Sequence, residues 1–276
     1  VPGRAPGYVL DGEFTLNRGS QQARNLTGWW PTAETGGAVA RDRSGYGNDA
    51  TLVGAPTRVV TPYGRGLLYN GTSQYIDCGN NPSVQLVGRC TVAAWVRPDL
   101  LPTSPGLYYP IIVKGYDNTN TGFQFNFQND ASTGLVQSLV FVSYDGAVHG
   151  AVWQYGSALA VGNYYLLGGT YDGTTWTIYA NGQPVQTATD ATGPVTTAKN
   201  LLVGGFDIAG VLLYFPGVIT DARVIFGRAA SAAEMQSMYD PRGRFDLFRR
   251  GASRRSYKAP ASTFSAKQSS MMVGGF

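Results

Sequence analysis

Between residues 26 and 230 the chain breaks at Gly, Asn, Asp or Pro at intervals of roughly 8–15 residues, the spacing of an all-β sandwich or barrel. The runs between the breaks are rich in residues that suit a pleated, half-buried surface. Clear runs are Ser73–Cys78, Cys90–Val96, Ile111–Lys114, Phe123–Phe127, Val136–Tyr144, Tyr164–Thr170, Thr175–Tyr179 and Val211–Phe226. Phe123, Phe125 and Phe127 alternate with Gln124 and Asn126, the period-2 pattern of a half-buried strand. In Trp176–Val185 the pair Asn181-Gly182 supplies the two positive-φ positions of a type I′ hairpin turn. These signals predict an all-β sandwich.

Composition agrees. The 276 residues include 37 Gly but only three Glu and four Lys, against 14 Asp and 17 Arg, so residues that favour helices are scarce. One helix is predicted. Ser231-Ala-Ala-Glu234 is a capping box, and Met235 and Met238 follow at helical spacing before Pro241 ends the run. Three regions follow: an N-terminal arm over 1–25, laid over something else; the sandwich over 26–239; and a tail over 240–276. The tail holds eight basic residues against two acidic ones, and the rest 13 against 15, so the net charge of +4 belongs to the tail.

Several classes fall away. No run of 18 apolar residues exists, so no membrane-spanning helix and no membrane partner are expected. Two cysteines make neither a disulfide scaffold nor a four-cysteine zinc site, and a single histidine, His149, makes no His-rich metal site. Cys78 and Cys90 close a loop short enough for a disulfide, and two buried free thiols fit equally well. The chain starts at Val1 with no charged-then-apolar leader behind it; removal of a methionine and cleavage of a leader both fit. Asn25-Leu-Thr and Asn70-Gly-Thr match the short glycosylation pattern, which is common by chance.

Three ordered segments carry a family resemblance: Asn25-Leu-Thr-Gly-Trp29-Trp30-Pro, Asp42-Arg-Ser44-Gly45-Tyr-Gly47-Asn48-Asp-Ala-Thr-Leu52, and Gly71-Thr-Ser-Gln-Tyr75-Ile-Asp77. Thr91-Val-Ala-Ala-Trp95-Val, the Tyr179-Ala-Asn-Gly hairpin, and Gly217-Val-Ile-Thr-Asp221-Ala-Arg223 leading to Arg228-Ala-Ala-Ser231 continue the series. Over about 200 residues the chain resembles laminin-G-like members of the concanavalin A-like lectin/glucanase superfamily. The resemblance implies a jelly-roll sandwich of two antiparallel sheets. Ala50 stands where the family carries Gly, one extra residue lies between Arg223 and Arg228, and Tyr164 or Tyr165 takes the place of a Trp. The first of these weakens any ligand site carried over from that loop.

A retaining glucanase needs two carboxylates about 5 Å apart. Glu13 lies in the arm, Glu34 in a loop and Glu234 in the helix cap, and no Asp pair sits two apart on a predicted strand. With no Gly-x-Ser-x-Gly elbow either, no catalytic residue is assigned. Calcium is not required, but the family often holds one ion between loops, and Asp42, Asn48 and Asp49 would supply its oxygens. The favoured reading makes Asp42, Ser44 and Asn48 turn formers that bond their own backbone. A glycan needs an exposed ring for its C–H surface and planar polar groups for its hydroxyls. Tyr116, Asp117, Asn118 and Asn120, with Trp153 and Tyr155, offer that mix on loop-like stretches. Trp29, Trp95 and Trp176 read as core. Asp221 reads as a half-buried acid bonded to Arg223 or to backbone.

In the tail, Phe245, Phe248, Arg249, Arg250, Arg254, Arg255 and Tyr257 interleave bases with rings, and Phe276 ends it. Such a segment also suits nucleic acid. It follows the fold and is Gly/Ser-rich, so threading over a neighbouring subunit is expected instead, with a floppy basic tail as the plain alternative. The arms at both ends resemble those of laminin-G-like virion proteins of tailed bacteriophages. That resemblance implies a non-enzymatic capsid decoration or surface protein in the virion, with capsid subunits or further copies of itself as partners and surface glycans as ligands. A secreted, extracellular lectin-like carbohydrate-binding module is the alternative, and a glycoside hydrolase the third reading.

Overall fold

A computed structural model describes residues 14–116, 121–130, 135–208 and 210–250. The first strands are β1 (Phe14–Leu16), β2 (Leu26–Trp30), β3 (Val39–Ala40), β4 (Ala50–Val53), β5 (Thr57–Thr61), β6 (Gly64–Asn70) and β7 (Tyr75–Asp77). Long strands follow: β8 (Cys90–Pro98), β9 (Leu107–Tyr116), β10 (Thr121–Asp130), β11 (Leu135–Tyr144) and β12 (Val148–Gln154). Next come β13 (Tyr165–Tyr171), β14 (Thr175–Ala180), β15 (Gln183–Thr189), β16 (Leu201–Val203), β17 (Gly205–Ile208) and β18 (Val211–Tyr214). The chain then forms β19 (Pro216–Phe226), α1 (Ala232–Tyr239) and β20 (Phe248–Arg250).

Two antiparallel sheets face each other, as a jelly-roll sandwich requires. One runs β15-β14-β13-β8-β19-β6-β5 with β2 also on β19; the other runs β12-β11-β10-β9-β16-β7-β4-β3, with the hairpin β17–β18 attached at β9. Between them lies a core that includes Phe123, Phe125, Phe127, Phe141, Trp176 and Ile178. Phe141 meets Trp176 edge-on at 4.9 Å between centroids, an arrangement aromatic quadrupoles favour. Cys78 and Cys90 sit in this core as free thiols, and burial pushes both pKa values up. Asn181 (φ 52°) and Gly182 (φ 79°) make the predicted hairpin turn.

A second core lies on the outer face of the first sheet. Along β8, Val92, Ala94 and Val96 enter the core between the sheets, while Ala93 and Trp95 enter the second core with Trp29, Met235, Met238 and Leu247. A strand buried on both faces reads as a continuous apolar run, as Cys90–Val96 does. Consecutive glycines make room on both sides of β13. A Cβ on Gly168 would strike Met235 of the helix, and one on Gly169 would strike the Phe141 ring. Helix α1 forms as predicted, with Ser231 as N-cap and both bonds of the capping box present.

The outer layer revises the expected boundaries. Arm and tail pair with each other, Phe14 with Arg250 and Leu16 with Phe248. Phe248 packs on Trp29 at 4.8 Å and on Phe14 at 4.7 Å, and Phe245 meets Phe248 at 5.9 Å. The described part of the tail therefore covers its own sandwich, because Trp29 and Trp95 point outward and need a lid. The boundary expected at 239 moves to the end of β20 for this reason. The run Val211–Phe226 is also two strands, β18 and β19, not one.

A buried polar clasp ties this layer to the sheet. At the bulge between Thr220 and Arg223, Asp221 adopts φ 56° and turns its carboxylate inward, where it accepts from Trp29 Nε1 at 2.6 Å and from Arg223 Nη2. Arg223 Nη1 donates to Gln22 Oε1 at 2.7 Å, and Gln22 Nε2 donates to Ser237 Oγ and to the Gly243 carbonyl, both at 3.0 Å. Sheet, arm, helix and tail thus meet in one set of hydrogen bonds.

Candidate functional site

The phenylalanines of β10 point into the core, so the residues between them line the opposite face of the second sheet. Cross-strand pairing arranges that face in rows. Gln128 lies between Tyr108 and Ser138, and Ser138 lies opposite Gln154. The adjacent row is Pro110, Asn126, Val140 and Val152, and the next is Val113, Gln124, Val142 and Gly150. None of these twelve residues is charged. The floor is amide, hydroxyl and small apolar surface.

Asn126 is fully buried. Its Nδ2 donates to the Phe127 carbonyl at 3.2 Å and to Gln128 Oε1 at 3.3 Å, but its Oδ1 accepts no hydrogen bond. Near the end of the same strand, Asn129 Nδ2 donates to the Pro102 carbonyl at 3.3 Å while Oδ1 again has no partner. Buried acceptors are nearly always paired. Asn129 is in step with the phenylalanines and lies on the other face, so Asn126 alone of the two belongs to these rows. Gln154 is exposed and Tyr108, Gln124, Val152 and Gly150 are half-buried, while the other seven residues of the rows, Gln128, Ser138 and Asn126 among them, are buried; the three rows hold no carboxylate to act as acid, base or nucleophile.

Sequence reasoning offered Gln154 only as part of the Trp153-Gln154-Tyr155 stretch and did not single out Tyr108, Gln124, Asn126, Gln128 or Ser138 for binding. Their signal was present: the polar half of the Phe-alternating strand carries amides where a plain solvated face carries Lys and Glu. The residues proposed instead do not converge. Tyr116 ends β9 and aligns with Thr121, whereas Trp153 aligns with Leu139 and Phe127, six residues along β10 and about 20 Å away. Trp153 lies on a strand rather than a loop and packs against the core between the sheets. Tyr155, expected as an exposed ring, is 4% exposed and meets Phe127 edge-on at 5.7 Å. Its place directly beyond the core row of β12 explains the burial. Asp117, Asn118 and Asn120 lie outside the described residues.

The loop proposed for calcium is closed by its own hydrogen bonds. Asp42 Oδ1 accepts from the Trp29 and Ser44 N–H groups at 3.0 and 2.8 Å, and Oδ2 from the Asn48 N–H and the Ser44 hydroxyl at 2.9 and 2.8 Å. Asn48 is buried, and its Oδ1 accepts from Asn81 Nδ2 at 2.8 Å. Asp49 Oδ1 accepts the Asp42 N–H at 2.8 Å and Oδ2 pairs with Arg41 at 3.0 Å. Of the proposed tail residues, Phe245, Phe248 and Arg249 belong to the layer already described, and the backbone of Arg250 pairs with Phe14. Arg254, Arg255, Tyr257 and Phe276 lie outside the described residues.

His149 has a structural setting. Its Nδ1 lies 2.8 Å from Asp190 Oδ2 and its Nε2 2.9 Å from Asp145 Oδ1. The hydrogen bond to Asp190, helped by the one to Asp145, raises its pKa against the opposing effect of burial.

Two packed antiparallel sheets, one with an uncharged polar outer face, define a lectin-type sandwich. The chain belongs to the laminin-G group of the concanavalin A-like lectin/glucanases superfamily, whose family model matches residues 70–236. No curated protein matches it. Among solved structures, it is similar to domain 4 of an extracellular GH43 arabinanase from Geobacillus stearothermophilus, in complex with arabinotriose. That match has a TM-score of 0.58 and 16% identity, and covers 78% of this chain and 98% of that one. The receptor-binding domain of botulinum neurotoxin C/D mosaic serotype matches with TM-score 0.57 and 15% identity, over 78% of this chain and 51% of that one. Trypanosoma rangeli sialidase matches with TM-score 0.54 and 19% identity, over 78% of this chain but only 32% of its own. At these identities the likeness is one of fold.

Proposed function

We propose that this chain is a non-enzymatic glycan-binding display protein of a virion, a capsid decoration or surface protein. Its second sheet carries the sugar, and its basic tail carries the attachment to capsid subunits or to further copies of itself. The observation that carries the binding half is the uncharged polar face, whose accessible part is Gln154 with the half-buried Tyr108 and Gln124. Sugar hydroxyls pair with amide and phenol groups of this kind, and the rows lack the carboxylate pair a retaining hydrolase needs. The arabinanase domain, recorded with arabinotriose, supports sugar binding by a sandwich of this kind. The attachment half rests on charge: residues 251–276 carry four basic and no acidic residues and follow directly on a strand clamped to the sandwich. The reading requires no cofactor; a calcium ion on Asp42, Asn48 and Asp49 would compete with the hydrogen bonds their side chains already accept.

A glycan array probed with the full chain and with Gln128→Ala/Gln154→Ala tests the binding half. Bound sugars should weaken about tenfold in the variant, the loss expected for one or two hydrogen bonds. Unchanged binding would move the site off this face. Light scattering after size exclusion tests assembly, on the full chain and on one ending at Arg250. A defined oligomer that becomes monomeric on truncation supports the tail as an assembly device. If both are monomers and no virion protein retains the full chain, the secreted carbohydrate-binding module replaces the virion reading.

A further inference from the structure

A cavity of about 410 Å³ opens at one end of the first sheet, away from the polar face of the second. Three loops enclose it: Arg89 before β8, the Asp172–Thr174 turn between β13 and β14, and Gly227–Ala229 after β19. Its size is in the range of small-ligand sites, enough for one or two sugar rings.

The polar groups of its wall are unevenly spent. Arg228 is committed on one side, where Nη1 binds both Glu234 oxygens at 2.8 and 2.7 Å and Nη2 donates to the Arg24 carbonyl at 3.1 Å. Its Nε is buried without a partner. Arg89 is exposed, and no hydrogen bond or ion pair within 4 Å engages its guanidinium among the described residues. Asp172 spends Oδ1 on its own turn, accepting from the Thr174 N–H at 2.9 Å, the Thr175 N–H at 2.7 Å and the Thr174 hydroxyl at 3.0 Å. Burial would push its carboxyl up, but those bonds and the Arg89 charge outweigh it and keep the pKa below the ordinary value. The acid is therefore ionised at neutral pH, and its second oxygen remains available as an acceptor.

The lining thus offers the unspent donors of Arg89, which lies against the Gly173 turn, the further positive charge of Arg228, and a carboxylate oxygen of Asp172. We infer that this cavity is a second glycan subsite, selective for a sugar that carries an acidic group. The anion lies on Arg89, near the charge of Arg228, and a ring hydroxyl donates to Asp172. A planar, fully charged guanidinium is the side chain best fitted to a carboxylate or sulfate. A neutral sugar would leave the Arg89 donors unused, and a bare anion would leave Asp172 without its hydroxyl donor. The inference does not depend on the face of the second sheet being a binding site.

Three probes with one ring separate the contributions: glucose, glucuronate and glucose 6-sulfate, titrated against the full chain by ligand-observed NMR. Wild type should bind one or both acids at least about tenfold more tightly than glucose, with an affinity that falls as salt rises. Arg89→Gln should lose that preference. Its melting temperature should fall by no more than about 2 °C, because it loses only the exposed attraction between Arg89 and Asp172, and no hydrogen bond or ion pair within 4 Å engages Arg89 among the described residues. Gln128→Ala/Gln154→Ala should keep the preference, which separates this subsite from the polar face. The inference is overturned if glucose binds as well as the acids, if neither acid binds, or if Arg89→Gln binds like wild type. A preference for glucuronate alone or for the sulfate alone names the acidic group.

Discussion

Replacing Arg223 with Met tests the idea that one buried clasp holds the outer layer on the sandwich. Arg223 and Asp221 have side-chain exposures of 3% and 7%, so neither charge can turn to solvent when the other is removed. In Arg223→Met, Asp221 keeps its bond from Trp29 Nε1 but loses its counter-charge. Breaking a buried pair on one side costs about 3–5 kcal/mol. Gln22 Oε1 also loses its donor, adding about 1 kcal/mol. A loss of about 5 kcal/mol should lower the melting temperature by roughly 10–20 °C in a domain of this size. Asp221→Asn/Arg223→Met removes both charges while the Asn side chain still accepts from Trp29, and should recover at least half of the loss. Urea unfolding followed by tryptophan fluorescence measures both variants. A loss below about 1 kcal/mol, or a double variant as weak as the single one, would refute the account of Asp221–Arg223 as the clasp.

Two further outcomes follow from the geometry. The folded pKa of His149 is raised above 6.5, so its contribution to stability is complete below that value and is lost as pH rises through the folded pKa; the folded pKa of Asp190 is depressed below 3.8, so its share is lost only as pH falls through that lower value. The urea midpoint of His149→Gln should therefore lie below wild type at pH 5.5 and approach it at pH 8.5, and a constant gap would show that the ion pairs are not responsible. Gly169→Ala should cost about 2 kcal/mol, because its Cβ meets the rigid Phe141 ring, and Gly168→Ala should cost less, because the flexible end of Met235 can move aside; thermal melts that reverse this order would refute the packing argument.

What was legible in the sequence was whatever repeats with the period of the backbone. The alternation of Phe123, Phe125 and Phe127, the Asn181-Gly182 turn and the Ser231 capping box each predict a local structure that forms as read, because each is complete within a few residues. The outer layer is a different kind of fact. Trp29 and Trp95 lie on strands that read as ordinary core, and only the sheet order reveals that they face outward. Their cover comes from Phe14 and Leu247, more than 200 residues apart in the chain. No local pattern encodes that pairing, and so the tail reads as an anchor for another molecule when its first part is a lid for its own. The same limit governs the sites. The amides of β10 alternate visibly with phenylalanines, but the row Tyr108, Gln128, Ser138, Gln154 exists only once four strands are placed in register. The aromatic residues read from the sequence are separated for the matching reason: Trp153 and Tyr155 are near Tyr116 in composition and far from it along β10. The proposed binding rows are therefore products of strand order. A ligand-binding test aimed at one cross-strand row will discriminate more sharply than one aimed at any contiguous stretch.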